Sequence, residues 1–66
     1  ALDEALDRLA REDAPIANVV KLRYFAGLTL SQIAQITGVT RRTVDRHWAL
    51  GRAWLYRQMT ADRTEA

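Results

Sequence analysis

Thr29–Trp48, TLSQIAQITGVTRRTVDRHW, decides the reading of this chain. Thr29 stands where a helix N-cap is needed. Gln32 follows three residues later, the spacing of a capping box in which each side chain satisfies a backbone N–H of the other residue. Leu30, Ile33 and Ala34 give a short helix over 30–36 its apolar face, and Ile36 is expected to extend it. Leu28 before the cap can staple onto Ile33. Gly38 supplies the left-handed conformation that stops this helix and turns the chain tightly. Val39 is expected to plug the turn into the core, and Thr40 to cap a second helix that opens on Arg41 and Arg42. Small Ala34 lets the two helices cross, and Val44 locks their angle. This is the pattern of a helix-turn-helix, which places its second helix in the major groove of duplex DNA.

Upstream, Leu2, Ala5, Leu6 and Leu9 recur every three or four residues, marking an amphipathic helix over 2–13. Asp13 can cap a second helix over 15–26, where Pro15 at the start gives up no hydrogen bond. Ile16, Val19, Val20, Leu22, Tyr24 and Phe25 make this the richest apolar segment, Lys21 and Arg23 give it a polar side, and Gly27 is its stop. Downstream, a last helix over 41–58 carries Val44, Trp48, Gly51 or Ala53, Leu55 and Met59 on one stripe. Gly51 inside a helix costs up to about 1 kcal/mol relative to alanine, which a close helix crossing at that point would explain. From Thr60 onward, TADRTEA has no large apolar residue, so 60–66 is expected to be a flexible tail. β-branched residues never alternate over a strand's length. The expected fold is therefore all-α: one domain, 1–59, of four helices that contains a helix-turn-helix and no wing.

At 66 residues there is room for one small core. Cysteine is absent and histidine occurs once, so neither a disulfide framework nor a thiolate or histidine-rich metal site is available. No cofactor is expected. No paired carboxylates, activated nucleophile or phosphate loop stand out, so an enzyme is not expected either. No apolar run reaches the roughly 20 residues of a membrane span, and the first ten residues are acidic and amphipathic, unlike a signal peptide. A cytoplasmic location is expected. The chain starts at Ala1 without a methionine and is read as a piece of a longer protein.

The net charge of +2 says less than its distribution. Residues 1–14 carry Asp3, Glu4, Asp7, Glu12 and Asp13 against Arg8 and Arg11. Residues 41–58 carry Arg41, Arg42, Arg46, Arg52 and Arg57 against Asp45 alone. Such polarity suits one helix at phosphate and another away from it. Arg41, Arg42, Thr43, Arg46 and His47 occupy the first two turns of the second motif helix, whose N-terminal residues reach base edges in the usual docking. Arginine can fork onto guanine O6 and N7 or hold a phosphate. Thr40 and Thr43 can donate to phosphate, and Thr40 also caps. Asp45 either accepts from a cytosine N4 or orders Arg41 or Arg42 through a helical ion pair, the role we favour. Ser31 and Gln32, with Thr29 beside them, sit at a helix N-terminus that favours anions. Lys21 and Arg23 are candidates for outer phosphate contacts. Trp48 is expected in the core, and the large aromatic load points to an exposed patch on the second helix and the end of the fourth, the mark of a partner surface.

The segment VVKLRYFAGLTLSQIAQITGVTRRTVDRHWALGRAWLYRQM resembles region 4 of bacterial sigma factors of the extracytoplasmic-function class. Leu22, Arg23, Phe25, Gly27, Leu28, Ile33, Ala34, Gly38, Val39, Thr43, Val44 and Leu55 match the family pattern, and the likeness runs from about Leu2 to Met59. Many relatives carry a basic residue where this chain has Asp45. The resemblance implies a domain that binds the promoter minus-35 element as duplex DNA, docks on the flap of the RNA polymerase β subunit, and is masked by an anti-sigma factor in related proteins. It places DNA contacts on Arg41, Arg42, Thr43, Asp45 and Arg46 with support from Ser31 and Gln32, and polymerase contacts on apolar surface of the first two helices and the last. Region 2, which opens promoters, has no counterpart in these residues. Two other readings fit the motif: the dimeric DNA-binding output domain of a response regulator, and a protein-interaction domain whose basic helix meets an acidic partner.

Overall fold

Four apolar segments become four helices in the computed structural model, which describes residues 2–65, with side chains from 2 to 60. The elements are α1 (Leu2–Glu12), α2 (Ala14–Tyr24), α3 (Leu30–Thr37) and α4 (Arg41–Glu65). α2 is central, packing against all three other helices. That is why its apolar residues do not form a single stripe: Ala17 and Val20 face one cluster and Val19 another.

Asp13 alone separates α1 from α2. Its N–H donates to Leu9 O, closing α1, while its carboxylate accepts from Ile16 N at 3.3 Å, opening α2. One residue thus ends one helix and caps the next, with Pro15 in the first turn where no donor is missed. α2 begins at Ala14 and ends at Tyr24, a little shorter at its far end than its apolar content suggests. Phe25 N closes it on Lys21 O, and Gly27 follows at φ +69°.

The capping box of α3 forms in full. Thr29 Oγ1 accepts from Gln32 N at 3.1 Å, and Gln32 Oε1 accepts from Thr29 N at 2.8 Å. Gly38 takes φ +76° and donates to Ala34 O. A Cβ there would meet nothing within 4 Å, so the glycine answers a backbone demand and not a steric one. Thr29→Ala should cost about 1 kcal/mol, which for a domain of this size lowers the thermal midpoint by roughly 4–8 °C. Thr29→Ser keeps the hydroxyl and should restore most of the loss; an equal drop in both variants would refute the cap.

Two buried clusters share one tryptophan. Ala5, Leu6, Leu9, Ala17, Val20 and Leu55 join α1, α2 and α4, and Val19, Ile33 and Val44 join α2, α3 and α4. Trp48 packs against both, half-buried, and Trp54 packs against the first. Gly51 marks the closest approach of α2 and α4: a Cβ built there would lie 2.5 Å from Val20 Cγ2 and 3.1 Å from Ile16 Cγ2. A close crossing, which would explain a glycine inside this helix, is present.

Some expectations fail. Ile36 is 64% exposed and Val39 39% exposed. On the short α3, Ile33 takes the centre of the buried face, and Ile36 falls on the side away from Ala34 and Thr37. The buried cluster of the motif consists of Val19, Ile33 and Val44, without Val39. Of Gly51 and Ala53, Gly51 takes the buried position and Ala53 is exposed; Met59 is exposed too, near where α4 outruns the helices that cover it. α4 itself continues to Glu65. Apolar periodicity stops near Met59 and so marks no end, yet no glycine or proline breaks the helix beyond it. The flexible tail expected over 60–66 falls mostly outside the described side chains.

Candidate nucleic-acid interface

The turn at Gly38 sets the N-terminus of α3 beside that of α4. Arg41 shows it most directly. Its Nε donates to Asp45 Oδ1 at 2.8 Å, and its Nη1 donates to Ser31 Oγ at 2.7 Å, ten residues away on α3. Thr40 Oγ1 accepts from Thr43 N at 3.2 Å, capping α4, and donates to Thr43 Oγ1 at 2.9 Å. That leaves the Thr43 hydroxyl proton free to donate outward. Gln32 spends its carbonyl on the capping box and keeps its amide protons. Ser31, Gln32, Thr40, Arg41, Arg42, Asp45 and Arg46 are exposed; Thr43 and His47 are half-buried.

The charge placement runs against helix stability. α4 has no acidic residue in its first turn, and Arg41 and Arg42 sit there instead. Cations at a helix N-terminus oppose the macrodipole by about 0.3–1 kcal/mol each at low ionic strength. The free N–H groups of that terminus and three exposed guanidiniums point to an anionic partner. Among the described residues, neither Arg42 nor Arg46 has a hydrogen-bond or ion-pair partner.

A scan against protein families matches residues 1–61 to the ECF sigma factor family. The chain belongs to the ECF sigma factors. As a sigma-factor domain it serves transcription, with DNA and the RNA polymerase core as its general partners, and it is not catalytic. No curated protein and no solved structure matches the chain. Among the described residues no group of acidic, histidine or cysteine side chains is placed to hold a metal, and no helix is long and apolar enough to cross a membrane.

In this sigma-factor domain some basic residues have structural work. Arg23, a candidate for phosphate, donates from Nη1 to Leu28 O at 3.1 Å and lies over the Trp48 ring at 5.9 Å from its centroid. Arg52 lies over the same ring at 5.8 Å, and Tyr24 meets it at a centroid distance of 5.4 Å. Both arginines are within range of a cation–π contact. The Arg52 contact has i, i+4 spacing on α4, but Arg23 and Tyr24 join α2 to α4 across more than twenty residues, which sequence spacing does not show. The Arg41–Ser31 bond is equally invisible there, whereas spacing offers Asp45 either Arg41 or Arg42, of which the structure selects Arg41.

Proposed function

We propose that this domain recognises the promoter minus-35 element, with the N-terminal turns of α4 in the major groove. Arg41, Arg42, Thr43 and Arg46 make the principal contacts, His47 lies at their edge, and Thr40, Ser31 and Gln32 hold the flanking phosphate. The observation that carries this reading is the set of exposed guanidiniums at the start of α4, placed against helix stability and beside the N-terminus of α3. Second, we propose that the domain docks on the β-subunit flap of RNA polymerase through an apolar surface on α2 and the far half of α4. Tyr24, Phe25, Tyr56 and Met59 are all exposed there, and Tyr24, Tyr56 and Met59 line an open groove of about 690 Å³. The same surface suits an anti-sigma factor.

Arg42→Ala tests the DNA assignment. Measured on a duplex that the chain selects from a random-sequence pool, it should weaken binding by about 1–3 kcal/mol. If Arg42 reads guanine, preference at one base pair relaxes. An equal loss on every sequence assigns it to phosphate. Unchanged affinity would remove Arg42 from the interface.

A further inference from the structure

Arg41 is the one arginine of the three that is held. Two of its five donors are engaged, Nε by Asp45 and one on Nη1 by Ser31, leaving one on Nη1 and both on Nη2 for a ligand on a side chain that is half open to solvent. Arg42 and Arg46 have no such anchors among the described residues.

Stability does not account for the arrangement. The ion pair is half exposed, with 53% and 52% of the two side chains open to solvent, and pairs of that kind contribute little. An arginine that precedes its acid by four residues is the weaker orientation on a helix. Asp45 also lies beyond the first turn, where an acid gains most from the dipole. Its charge further repels phosphate and so lowers affinity for any DNA. What the pair does accomplish is geometric. Together with Ser31 it fixes a flexible side chain to both helices of the motif, which settles the direction of the free guanidinium edge before DNA arrives.

We propose that Asp45 is a positioning residue for DNA reading: by clamping Arg41 against Ser31 it sharpens sequence discrimination while lowering general affinity. The inference rests on α4 being the helix that meets DNA.

The test uses the 66-residue chain, a duplex that the wild type selects from a random-sequence pool, and a scrambled duplex of the same composition. Asp45→Ala should bind the scrambled duplex more tightly, and its log–log salt slope should steepen by about one as Arg41 turns to phosphate. Its discrimination between the two duplexes should fall about five-fold or more. Asp45→Asn keeps an acceptor in place without the charge and should retain most of the discrimination. Ser31→Ala should lose part of it. Arg41→Ala should relax the same base pair as Asp45→Ala, and the double variant should relax it no further. An unchanged ratio, or an equal loss on both duplexes, overturns the proposal. So does a preference that disappears in Asp45→Ala at a base pair that Arg41→Ala leaves intact, which would mean that Asp45 itself accepts from cytosine. A wild type that does not distinguish the duplexes, or binds them without salt dependence, defeats the underlying DNA reading before any variant is made.

Discussion

Replacing Gly51 by valine is expected to destabilise the domain by about 3 kcal/mol, at the upper end of ordinary overpacking. The first added carbon would lie 2.5 Å from Val20 Cγ2. Val20 is fully buried, and a β-branched side chain in a helix has essentially one rotamer, so it cannot swing aside. The helices must separate, and the cluster that joins α1, α2 and α4 opens with them. A domain of this length holds roughly 3–10 kcal/mol in all, so the loss takes a large share of it. Gly51→Ala is the sharper comparison. By propensity alone it should stabilise by up to about 1 kcal/mol; here the crossing should reverse the sign. Adding Val20→Ala should relieve the clash, so that the double variant is less destabilised than the two single losses together. Denaturant midpoints for the parent and these variants decide the matter, and a Gly51→Ala protein more stable than the parent would show that the crossing tolerates a methyl group.

Removing Arg41, Arg42 and Arg46 together should produce the largest functional loss. Hydrogen bonds to charged groups contribute about 1.5–3 kcal/mol each. Allowing for non-additivity, the triple alanine variant should lose at least about 3 kcal/mol of binding, on the order of a hundred-fold or more in affinity. Its stability should not fall. The guanidiniums are exposed, and two of them sit at the positive end of the α4 dipole, so their removal should leave the melting temperature unchanged or raise it slightly. Weakened binding with stability kept separates this variant from one that merely unfolds. A folded triple variant that still binds the selected duplex as the parent does would place the DNA interface elsewhere.

Local chemistry explains why much of the motif is legible in the sequence. A capping box, a left-handed glycine and a helical Arg–Asp pair all act within a few residues, so spacing alone reveals Thr29–Gln32 and Gly38 and narrows the partner of Asp45 to Arg41 or Arg42. Gly51 is intermediate: its cost in a helix is visible locally, but its reason lies on α2. Ile36 and Val39 depart from expectation because apolar character says that a residue can be buried and not that a neighbour will cover it; a helix as short as α3 has one central position, and Ile33 fills it. The contacts of Arg23 and Tyr24 with Trp48 and the bond from Arg41 to Ser31 depend on helix placement and leave no periodic trace. Arg23 illustrates the result, since a charge that reads as a phosphate contact is committed to a loop carbonyl and an indole face.

The central claim is that the first turns of α4 meet the backbone and bases of duplex DNA. Its most direct test is the salt dependence of binding, measured side by side for the 66-residue chain and its Arg41, Arg42 and Arg46 triple alanine variant on the same selected duplex. The account predicts that log affinity falls linearly with log salt for the parent, and that the variant's slope is shallower by about one to three, one for each phosphate that an arginine no longer neutralises. A parent whose binding ignores salt, or a variant that keeps both the parent's slope and the parent's affinity, would contradict it.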